Sequence, residues 1–454
     1  MPLSTAEQYL LELINRARLN PLAEAERYGV DLNDGLVAGQ IGTAPLQVLA
    51  HNEALADASE GHSQWMLDAN VFSHTGADQT TAGDRMSDAG YAFTESWTWR
   101  ENLAWSGTTG NVDLVQAISQ HHEGLYLSAG HRANTFSTDI REIGLAQVEG
   151  AYTQNGTVYN SSMLTQNFAL SGNDVFITGV AYTDADGNKF YSAGEGQSGV
   201  TFSTANEQST SAQAGGYAVA ITPGDNVTVQ VSTGATLAGT VQMDVSQGNV
   251  KLDVVTSRSG EMSFHLSTDA TLLTGIDDAS LLGAGDLNLR GNNANNRLTG
   301  NDGDNYLDGL RGHDILTGDR GDDVLNGGGG RDKLKGSGGN DVLNGDGGRD
   351  KLKGGGGDDV LNGGRGNDNL VGGNGADTFV FNSGRDTIRD FKDDVDVIIV
   401  NRTMINGSDS TIDDLLAMAE ISNGNVIFDL SGSHQLTVTG ITNLDDLQND
   451  LIIG

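Results

Sequence analysis

Residues 327–353 consist of three consecutive nine-residue units, GGGGRDKLK, GSGGNDVLN and GDGGRDKLK. Each of these units begins with glycine, carries aspartate at its sixth position and has leucine at its eighth. The same period holds over residues 291–380, where ten units follow one another without an insertion. The apolar residues at the eighth position are Leu298, Leu307, Leu316, Leu325, Leu334, Leu343, Leu352, Leu361, Leu370 and Phe379. A fixed period of this kind predicts a repeat architecture.

Nine residues suffice for a short strand and one tight turn, so two units should complete one coil of a roll. Glycine at the first and fourth positions permits the backbone conformations that tight turns need, with Ala294 as the one exception. The apolar residue points inward and stacks on its equivalents. The sequence therefore predicts a parallel β-roll of five coils, about 24 Å long at about 4.8 Å per coil.

The aspartates should form two rows, because equivalent positions recur every eighteen residues. One row is Asp314, Asp332, Asp350 and Asp368, and the other is Asp323, Asp341, Asp359 and Asp377. Neighbouring carboxylates about 4 Å apart repel by ~1 kcal/mol in water and by ~4 kcal/mol at an effective dielectric of 20. Carboxylates and backbone carbonyls are the oxygen ligands that calcium prefers. We therefore predict several calcium sites, without which the roll should not close.

The first two units depart from this pattern, since Asn296 and Asn305 replace aspartate. They are expected to cap the roll with weak sites. The alternative interpretation is a flexible linker rich in glycine and aspartate, which ten units in strict register disfavour.

The pattern G-G-x-G-x-D-x-U-x resembles the RTX calcium-binding repeat. The stretches ADTFVFNSGRDTIRDFKDDVDVIIV and LTVTGITNLDDLQNDLIIG resemble the regions that follow such rolls in type I secretion substrates. The resemblance implies export by a type I secretion apparatus through an uncleaved C-terminal signal in residues 385–454. It also implies a roll that is unfolded in the cytosol and folds outside. A simple capping region for the roll is compatible with the same residues.

The amino-acid composition limits the kinds of metal site and binding partner that this chain can have. The 454 residues have a formal net charge of −36 and include no cysteine, so disulfides and thiolate metal sites are excluded. A strongly acidic surface repels phosphate backbones, which makes nucleic acid an unexpected partner. The N-terminus lacks a signal-peptide apolar region and predicts a helix with a Ser4–Glu7 capping box. No apolar run reaches the length of a transmembrane segment.

Residues 173–285 alternate apolar and polar positions between turn residues, which predicts a β-sandwich. Within this region the segment TDADGNKFYSAGEG places ligands at EF-hand spacing. These ligands are Asp184, Asp186, Asn188 and Glu195. Glycine occupies the fourth loop position instead of the sixth, and no helix flanks the loop. A turn stiffened by calcium and a solvated Asp-Gly turn are both open interpretations.

The N-terminal 170 residues predict helices over 52–69 and 112–127. The motifs LINRARLNP, ALADASEGHSQWM, FSHTG, RENLAW and SAGHRANTF resemble, in this order, bacterial members of the CAP superfamily, also called the SCP domain. The resemblance implies an α–β–α sandwich with a cleft that holds a divalent ion between two histidines and two glutamates. It assigns His74, Glu101 and His131 to this cleft. The position of the second acid holds Ser128, so Glu123 is the nearest substitute and His122 a reserve ligand. We expect His62 to be a packed helix residue.

Zinc is the ion that suits two imidazoles and one or two carboxylates. Three functions of the cleft are open. It could bind an extracellular lipid, sterol or peptide, or it could catalyse metal-assisted hydrolysis. In the third case the domain is inert and the chain is a surface-associated structural protein. The sequence shows no H-E-x-x-H or G-x-S-x-G motif, which favours ligand binding over hydrolysis. The predicted domains are a CAP-like domain over 1–170, a β-sandwich over 173–285, a β-roll over 286–384 and a β-rich cap over 385–454.

Overall fold

The computed structural model describes residues 2–224, 226–405 and 410–454. The chain divides into two compact units, Met1–Ser267 and Thr268–Gly454. The first unit therefore contains both the predicted CAP-like domain and most of the predicted sandwich. The domain limits drawn from the sequence, at 170/173, 285/286 and 384/385, stay predictions.

The first 170 residues form a four-stranded sheet between helices. Their elements are α1 (Thr5–Leu19), α2 (Pro21–Tyr28), β1 (Ala50–His51), α3 (Glu53–Asp68), α4 (Ala82–Asp88), β2 (Thr98–Thr108), α5 (Leu114–Leu127), α6 (Ala129–Thr135), β3 (Glu142–Gln154) and β4 (Thr157–Leu170), with a 3-10 turn at Ala77–Gln79. The strand order is β1-β3-β4-β2. The helices predicted over 52–69 and 112–127 are α3 and α5. The predicted Ser4–Glu7 capping box begins α1.

Alternation along the long strands supplies both faces of this sheet with apolar side chains. Leu164 and Phe168 of β4 pack in the core formed with α1 and α5. Met163 and Ala169 of the same strand pack in the cores on the α3 side. Gly144 of β3 allows close approach of α3, because an atom at its Cβ position would overlap the backbone of Leu55. The N-terminal region is therefore a mixed α/β layer structure with helices on both faces.

The rest of the first unit is built from strands. These are β5 (Val175–Thr183), β6 (Val200–Ser203), β7 (Gln208–Thr210), β8 (Gly216–Ile221), β9 (Asn226–Thr233), β10 (Thr236–Asp244), β11 (Val250–Thr256) and β12 (Met262–Leu266). They pair in the orders β12-β11-β5-β8 and β10-β9-β6-β7, and β5 is parallel to β11. Phe202 of β6 stacks on Tyr217 of β8 with ring centroids 3.5 Å apart. Packing of the two sets as a sandwich stays a prediction.

The second unit is a parallel β-roll followed by a short hairpin region. Its strands are β13 (Ala270–Thr274), β14 (Asp278–Leu281), β15 (Asn288–Arg290), β16 (Arg297–Thr299), β17 (Tyr306–Asp308), β18 (Arg311–Gly312), β19 (Ile315–Arg320), β20 (Val324–Asn326), β21 (Gly329–Gly330), β22 (Lys333–Gly338), β23 (Val342–Asn344), β24 (Gly347–Gly348), β25 (Lys351–Gly356), β26 (Val360–Asn362), β27 (Arg365–Gly366), β28 (Asn369–Asn374), β29 (Thr378–Phe381), β30 (Arg385–Ile388), β31 (Val397–Val400), β32 (Ala419–Ser422), β33 (Asn425–Leu430), β34 (His434–Thr439) and β35 (Leu451–Ile453). Helix α7 is Ile412–Leu416, and 3-10 turns lie at Arg402–Met404, Ser431–Ser433 and Leu444–Leu447.

The predicted eighteen-residue register is confirmed. Leu298 pairs with Leu316, and Leu316 with Leu334, along one ladder. Leu307 pairs with Leu325, and Leu325 with Leu343, along the other ladder. Every one of these inward leucines is at most 2% exposed. The roll is longer than the sequence repeat, because β13 to β15 precede it in parallel register and β30, β31, β34 and β35 extend both ladders beyond residue 380.

Candidate functional site

The aspartates at the sixth position hold successive coils together with one of their two oxygens. The backbone N–H of Asp314 donates to Oδ1 of Asp332 at 2.8 Å, and the N–H of Asp332 donates to Oδ1 of Asp350 at 2.8 Å. The opposite row repeats this bond from Asp323 to Asp341 at 2.9 Å. The two predicted rows are therefore formed, because one coil of eighteen residues places each aspartate next to its equivalent.

The second oxygen of each of these carboxylates is buried without a hydrogen-bond partner. This holds for Oδ2 of Asp314, Asp323, Asp332, Asp341, Asp350, Asp359, Asp368 and Asp377. The glycine that begins the unit leaves open space beside it. An atom at the Cβ position of Gly309 would lie 2.6 Å from Asp314 Oδ2 and 2.9 Å from the carbonyl oxygen of Gly327. A carboxylate oxygen and a backbone carbonyl thus converge on a space that only glycine leaves free, which fits a calcium ion.

Burial raises the pKa of these carboxyl groups. The backbone N–H bond opposes the change, and the carboxylate one coil away adds to it. The pKa of Asp323, Asp341 and Asp350 rises to about 7, and that of Asp314 and Asp359 to about 6. Without a cation, protonation of these aspartates in the folded roll therefore begins near neutral pH. A bound divalent ion would remove this penalty by compensating the charge.

A ninth carboxylate of the same kind, Asp386, is absent from the residues predicted from sequence. Asp386 accepts the N–H of Asp368 at 3.0 Å, and its Oδ2 is also buried without a partner. Burial followed by the neighbouring Asp368 raises its pKa to about 8. Its unit keeps Gly384, Asp386 and Ile388 in register but begins with Phe381 instead of glycine. The spacing from Asp377 to Asp386 was the signal that could have identified it.

The two ends of the rows are closed by different means. At the C-terminal end, Asp396 accepts the N–H of Asp377 with one oxygen and the N–H of Lys392 with the other, so that both oxygens are occupied. At the N-terminal end, the amide oxygen of Asn296 accepts from the N–H of Asn292, and its Nδ2 donates to the carbonyl of Asp277 at 3.0 Å. Asn305 makes the equivalent bonds. A neutral amide therefore replaces the carboxylate and its ion at this end, as expected of a cap.

The loop after β5 gathers its predicted ligands. Ligand atoms of Asp184, Asp186 and Glu195 lie within 4.8 Å of one another. Asn188 donates from Nδ2 to Asp186 at 2.9 Å. Backbone N–H groups also point at these carboxylates, for example from Ala185 to Glu195 at 2.7 Å. Protein donors therefore already compensate part of their charge, and calcium at this loop stays a prediction.

In the CAP-like region His74 and Glu101 are in contact. His74 Nδ1 lies 2.8 Å from Glu101 Oε1, and the guanidinium of Arg85 forms an ion pair with Oε2 of the same carboxylate. The Glu101 side chain is 4% exposed, whereas that of His74 is 60% exposed. Glu101 is thus a buried carboxylate with both oxygens engaged. Arg85 lies on α4, outside the motifs, and was not predicted from sequence.

His131 comes to this region on α6, which two asparagines tie to β2. Asn102 Nδ2 donates to the carbonyl of His131 at 3.2 Å, and Asn134 Nδ2 donates to Asn102 Oδ1 at 2.9 Å. His131 Nδ1 is buried without a hydrogen-bond partner. Burial and the nearby His74 lower the pKa of His131, so the imidazole is neutral near pH 7.

His62, His122 and Glu123 make other contacts. His62 is buried, bonds the carbonyl of Ser73 at 2.9 Å and stacks on Trp65, which confirms that it is a packed helix residue. His122 contacts Glu24 at 3.3 Å. Glu123 is exposed on α5. Burial and Glu24 raise the pKa of Tyr28 of α2 to about 12, and Glu123 adds to this rise.

The arrangement does not support a zinc site. Within the described part of the chain, the loop at 184–195 is the one place where three histidine or carboxylate ligand atoms lie within 4.8 Å of one another. His74, Glu101 and His131 do not meet this condition, and Arg85 already compensates the charge of Glu101. His74 and Glu101 form a hydrogen bond, whereas the ring Nδ1 of His131 is buried without a partner.

Comparison with known proteins agrees with this division. A sequence model of the cysteine-rich secretory protein family (CAP) matches residues 11–168. The model of the RTX calcium-binding nonapeptide repeat, which spans four copies, matches residues 283–316, 290–325, 317–352 and 353–388. No curated protein matches the chain. Among the described residues, no helix combines the length and apolar character of a membrane span.

Three solved structures are similar to parts of this chain. An extracellular protein containing an SCP domain from Bacillus anthracis str. Ames is 28% identical over 27% of this chain and 34% of its own, with a TM-score of 0.20. Extracellular lipase LipA from Serratia marcescens is 16% identical over 40% and 41%, with a TM-score of 0.21. An outer surface protein from Borrelia burgdorferi is 16% identical over 37% and 93%, with a TM-score of 0.25. These TM-scores are too low to establish a shared fold, so the assignment rests on the sequence models.

The chain spans about a third of the length of the Bacillus anthracis protein. The RTX match and the coil register agree on the same residues, and the CAP match covers the mixed α/β region. The chain is a modular calcium-binding protein that carries a CAP domain at residues 11–168 and RTX calcium-binding nonapeptide repeats at residues 283–388.

Proposed function

We propose that this chain is an extracellular protein whose roll folds on calcium outside the cell, and whose CAP domain binds an extracellular lipid, sterol or peptide. The observation that carries the calcium part is the two rows with nine buried aspartates in total, each with one unpartnered oxygen. Such groups are costly in an ion-free roll at neutral pH and well suited to calcium at extracellular concentrations. The loop of Asp184, Asp186, Asn188 and Glu195 is proposed as a further calcium site.

Ligand binding without catalysis is the role of the CAP cleft that the contacts favour. Arg85 and His74 occupy both oxygens of Glu101, so this carboxylate is not free to act as a base. The buried Nδ1 of His131 lacks a partner, and a ligand that reached this atom would satisfy it with one hydrogen bond. Metal-assisted hydrolysis would instead need a free acid and a bound ion.

The cleft can be tested with a fluorescent sterol, a fluorescent fatty acid and a peptide library as probes. We expect at least one probe to bind, and His131→Ala to weaken it by about tenfold, the effect of one hydrogen bond to a buried group. Glu123→Ala is the matched control and should leave binding unchanged, because Glu123 is exposed on α5. Failure of every probe class to bind would contradict the ligand-binding role. Turnover of an ester or peptide that His74→Ala abolishes would favour the hydrolase instead.

Export through a type I apparatus, with an uncleaved signal in residues 385–454, is proposed from the resemblance of these residues. Their deletion should leave the protein inside cells that otherwise secrete it, which immunoblotting of medium and cell fractions would measure. Deletion also removes Asp386 and Asp396 from the ends of the rows. The control is therefore Asp386→Asn with Asp396→Asn in the full chain, which should still be exported. Unchanged secretion of the deleted chain would place the signal elsewhere.

A further inference from the structure

One face of the roll carries an unusual array of positive charge. The motif RDKLK occurs at 331–335 and again at 349–353, one coil apart. In the structure Lys333 pairs with Lys351 and Lys335 with Lys353 across β22 and β25. Because strands lie about 4.8 Å apart and alternate residues about 6.6 Å apart, the four lysines form a compact two-by-two grid. Arg331 and Arg349 are exposed at its edge.

None of these six side chains takes part in an ion pair within the described residues. The ion pairs of the second unit involve other arginines, namely Arg290 with Asp308, Arg297 with Asp278 and Arg320 with Asp302. Leu334 and Leu352, which lie between the lysines, point into the core of the roll. Because side chains alternate along a strand, the lysine side chains point outward. Like charges opposite one another in a ladder destabilise it. A chain with a net charge of −36 thus concentrates these six cations on one surface.

The opposite face of the roll provides a contrast. Its outward positions on β20, β23 and β26 hold valine and asparagine only, namely Val324, Asn326, Val342, Asn344, Val360 and Asn362. Asn344 donates to Asn326 at 2.9 Å, so that the asparagines satisfy one another. The two faces share one coil geometry and differ in charge. The lysine grid is therefore a property of one face and not a requirement of the roll.

Calcium would change the electrostatic field around this face. Residues 286–384 contain sixteen aspartates, no glutamate and eleven lysines and arginines, a net charge of −5. Each bound ion adds two positive charges, so three ions suffice to make this segment positive. Bound calcium also fixes the coils whose register creates the grid. The grid is then both formed and electrostatically favourable to anions only in the calcium-loaded roll.

We propose that the calcium-loaded roll binds a linear anionic polysaccharide through Lys333, Lys335, Lys351 and Lys353, with Arg331 and Arg349 at the rim. A straight polymer whose carboxylates or sulfates recur at the scale of a sugar residue matches a flat, rigid grid of cations. A membrane is a poorer fit, since the exposed large apolar residues of the second unit lie outside β22 and β25 in the described chain. A nucleic acid is a poorer fit, since the six cations are not accompanied by exposed aromatic rings for base stacking.

The probe is fluorescent dextran sulfate, with neutral dextran as its control, added to the full chain in saturating calcium. We expect binding of the sulfated polymer only, with a steep decrease as salt rises, because the contacts are between exposed charges. Changing all four lysines to glutamine should weaken binding by about tenfold or more. Lys→Arg changes at the same four positions should retain it. Chelation of calcium should abolish it.

The matched control removes the same charge elsewhere in the roll, by changing four arginines outside the grid to glutamine. These are Arg290, Arg297, Arg311 and Arg320. This variant should bind dextran sulfate within a factor of about two to three of the unchanged chain. Equal losses in both variants would show that only net charge matters and would overturn the proposal. So would undiminished binding in chelator, or lysine-dependent binding of anionic vesicles or duplex DNA but not of dextran sulfate.

Discussion

Removal of calcium at pH 7.5 is expected to unfold the second unit while the first unit stays folded. Each site that meets calcium at about 100 times its Kd adds ~2.7 kcal/mol to the folded state. Several such sites together exceed the 5–15 kcal/mol that a typical domain has in total. Far-UV circular dichroism should lose the β signal of the roll in chelator and regain it with calcium.

Tryptophan fluorescence provides the internal control for this experiment. All four tryptophans, Trp65, Trp97, Trp99 and Trp105, belong to the first unit. Their emission should therefore change little when calcium is removed. A bound ion at the 184–195 loop would show as a modest loss of first-unit stability that Asp186→Asn reproduces. Full β content of residues 268–454 in chelator at pH 7.5 would contradict the calcium-dependent fold.

Acid should partly replace calcium in the same experiment. The folded pKa of Asp323, Asp341 and Asp350 is about 7, above the value of about 3.9 for an unfolded aspartate. The ion-free roll therefore binds more protons than the unfolded chain between these values, and its stability falls as pH rises from about 4 to about 7. Lowering the pH of the chelated protein from 7.5 to 5 should restore part of the β signal. Asp→Asn at these three positions should reduce this pH dependence.

Lys251→Met is expected to destabilise the first unit by about 3–5 kcal/mol, because it leaves two buried carboxylates without their cation. Lys251 Nζ lies 2.8 Å from Glu12 Oε2 and also forms an ion pair with Asp253. All three groups are buried. Burial opposes the charge on Lys251, but Asp253 and Glu12 hold its pKa above the ordinary value. Urea unfolding followed by tryptophan fluorescence would measure the loss.

A neutral version of the same cluster is the control for this prediction. Lys251→Met combined with Glu12→Gln and Asp253→Asn removes all three charges and should recover much of the stability. Gln8 donates to Glu12 and the N–H of Val180 donates to Asp253, so the uncharged amides keep acceptors for these donors. A loss below about 1 kcal/mol in Lys251→Met, the range of an exposed pair, would show that the cluster is solvated. The cluster joins α1 to β11, and a fragment of residues 1–170 should therefore be less stable than the first unit.

The roll was predictable from sequence because its physics is local and periodic. Each nonapeptide specifies its own strand, turn and carboxylate, so the leucine ladders and both aspartate rows follow from counting. Asp386 was missed because its unit begins with Phe381, although the aspartate itself keeps the period. Asp396 follows an inserted residue and pairs nineteen positions from Asp377, which a strict period does not find.

The first unit was less predictable because its decisive contacts join distant residues. The motifs identified His74, Glu101 and His131, but no local pattern indicates that Arg85 occupies the second oxygen of Glu101. The ion pair between Glu12 and Lys251 spans most of the first unit. Its members look like ordinary surface charges on an amphipathic helix and an alternating strand. Long-range electrostatic partners of this kind are specified by the tertiary fold and carry no spacing signal.

The two unlike faces of the roll also determine how such a chain can lengthen by duplication. Adding one nonapeptide would move every later unit to the opposite face, so that lysines would follow valines along the same ladder. Adding two would leave each face as it was. The sequence retains a trace of this constraint, since residues 331–348 and 349–366 are identical at 14 of 18 positions. The heritable module is therefore the whole coil, and a gene for a longer or shorter protein should differ by multiples of 54 nucleotides in this region.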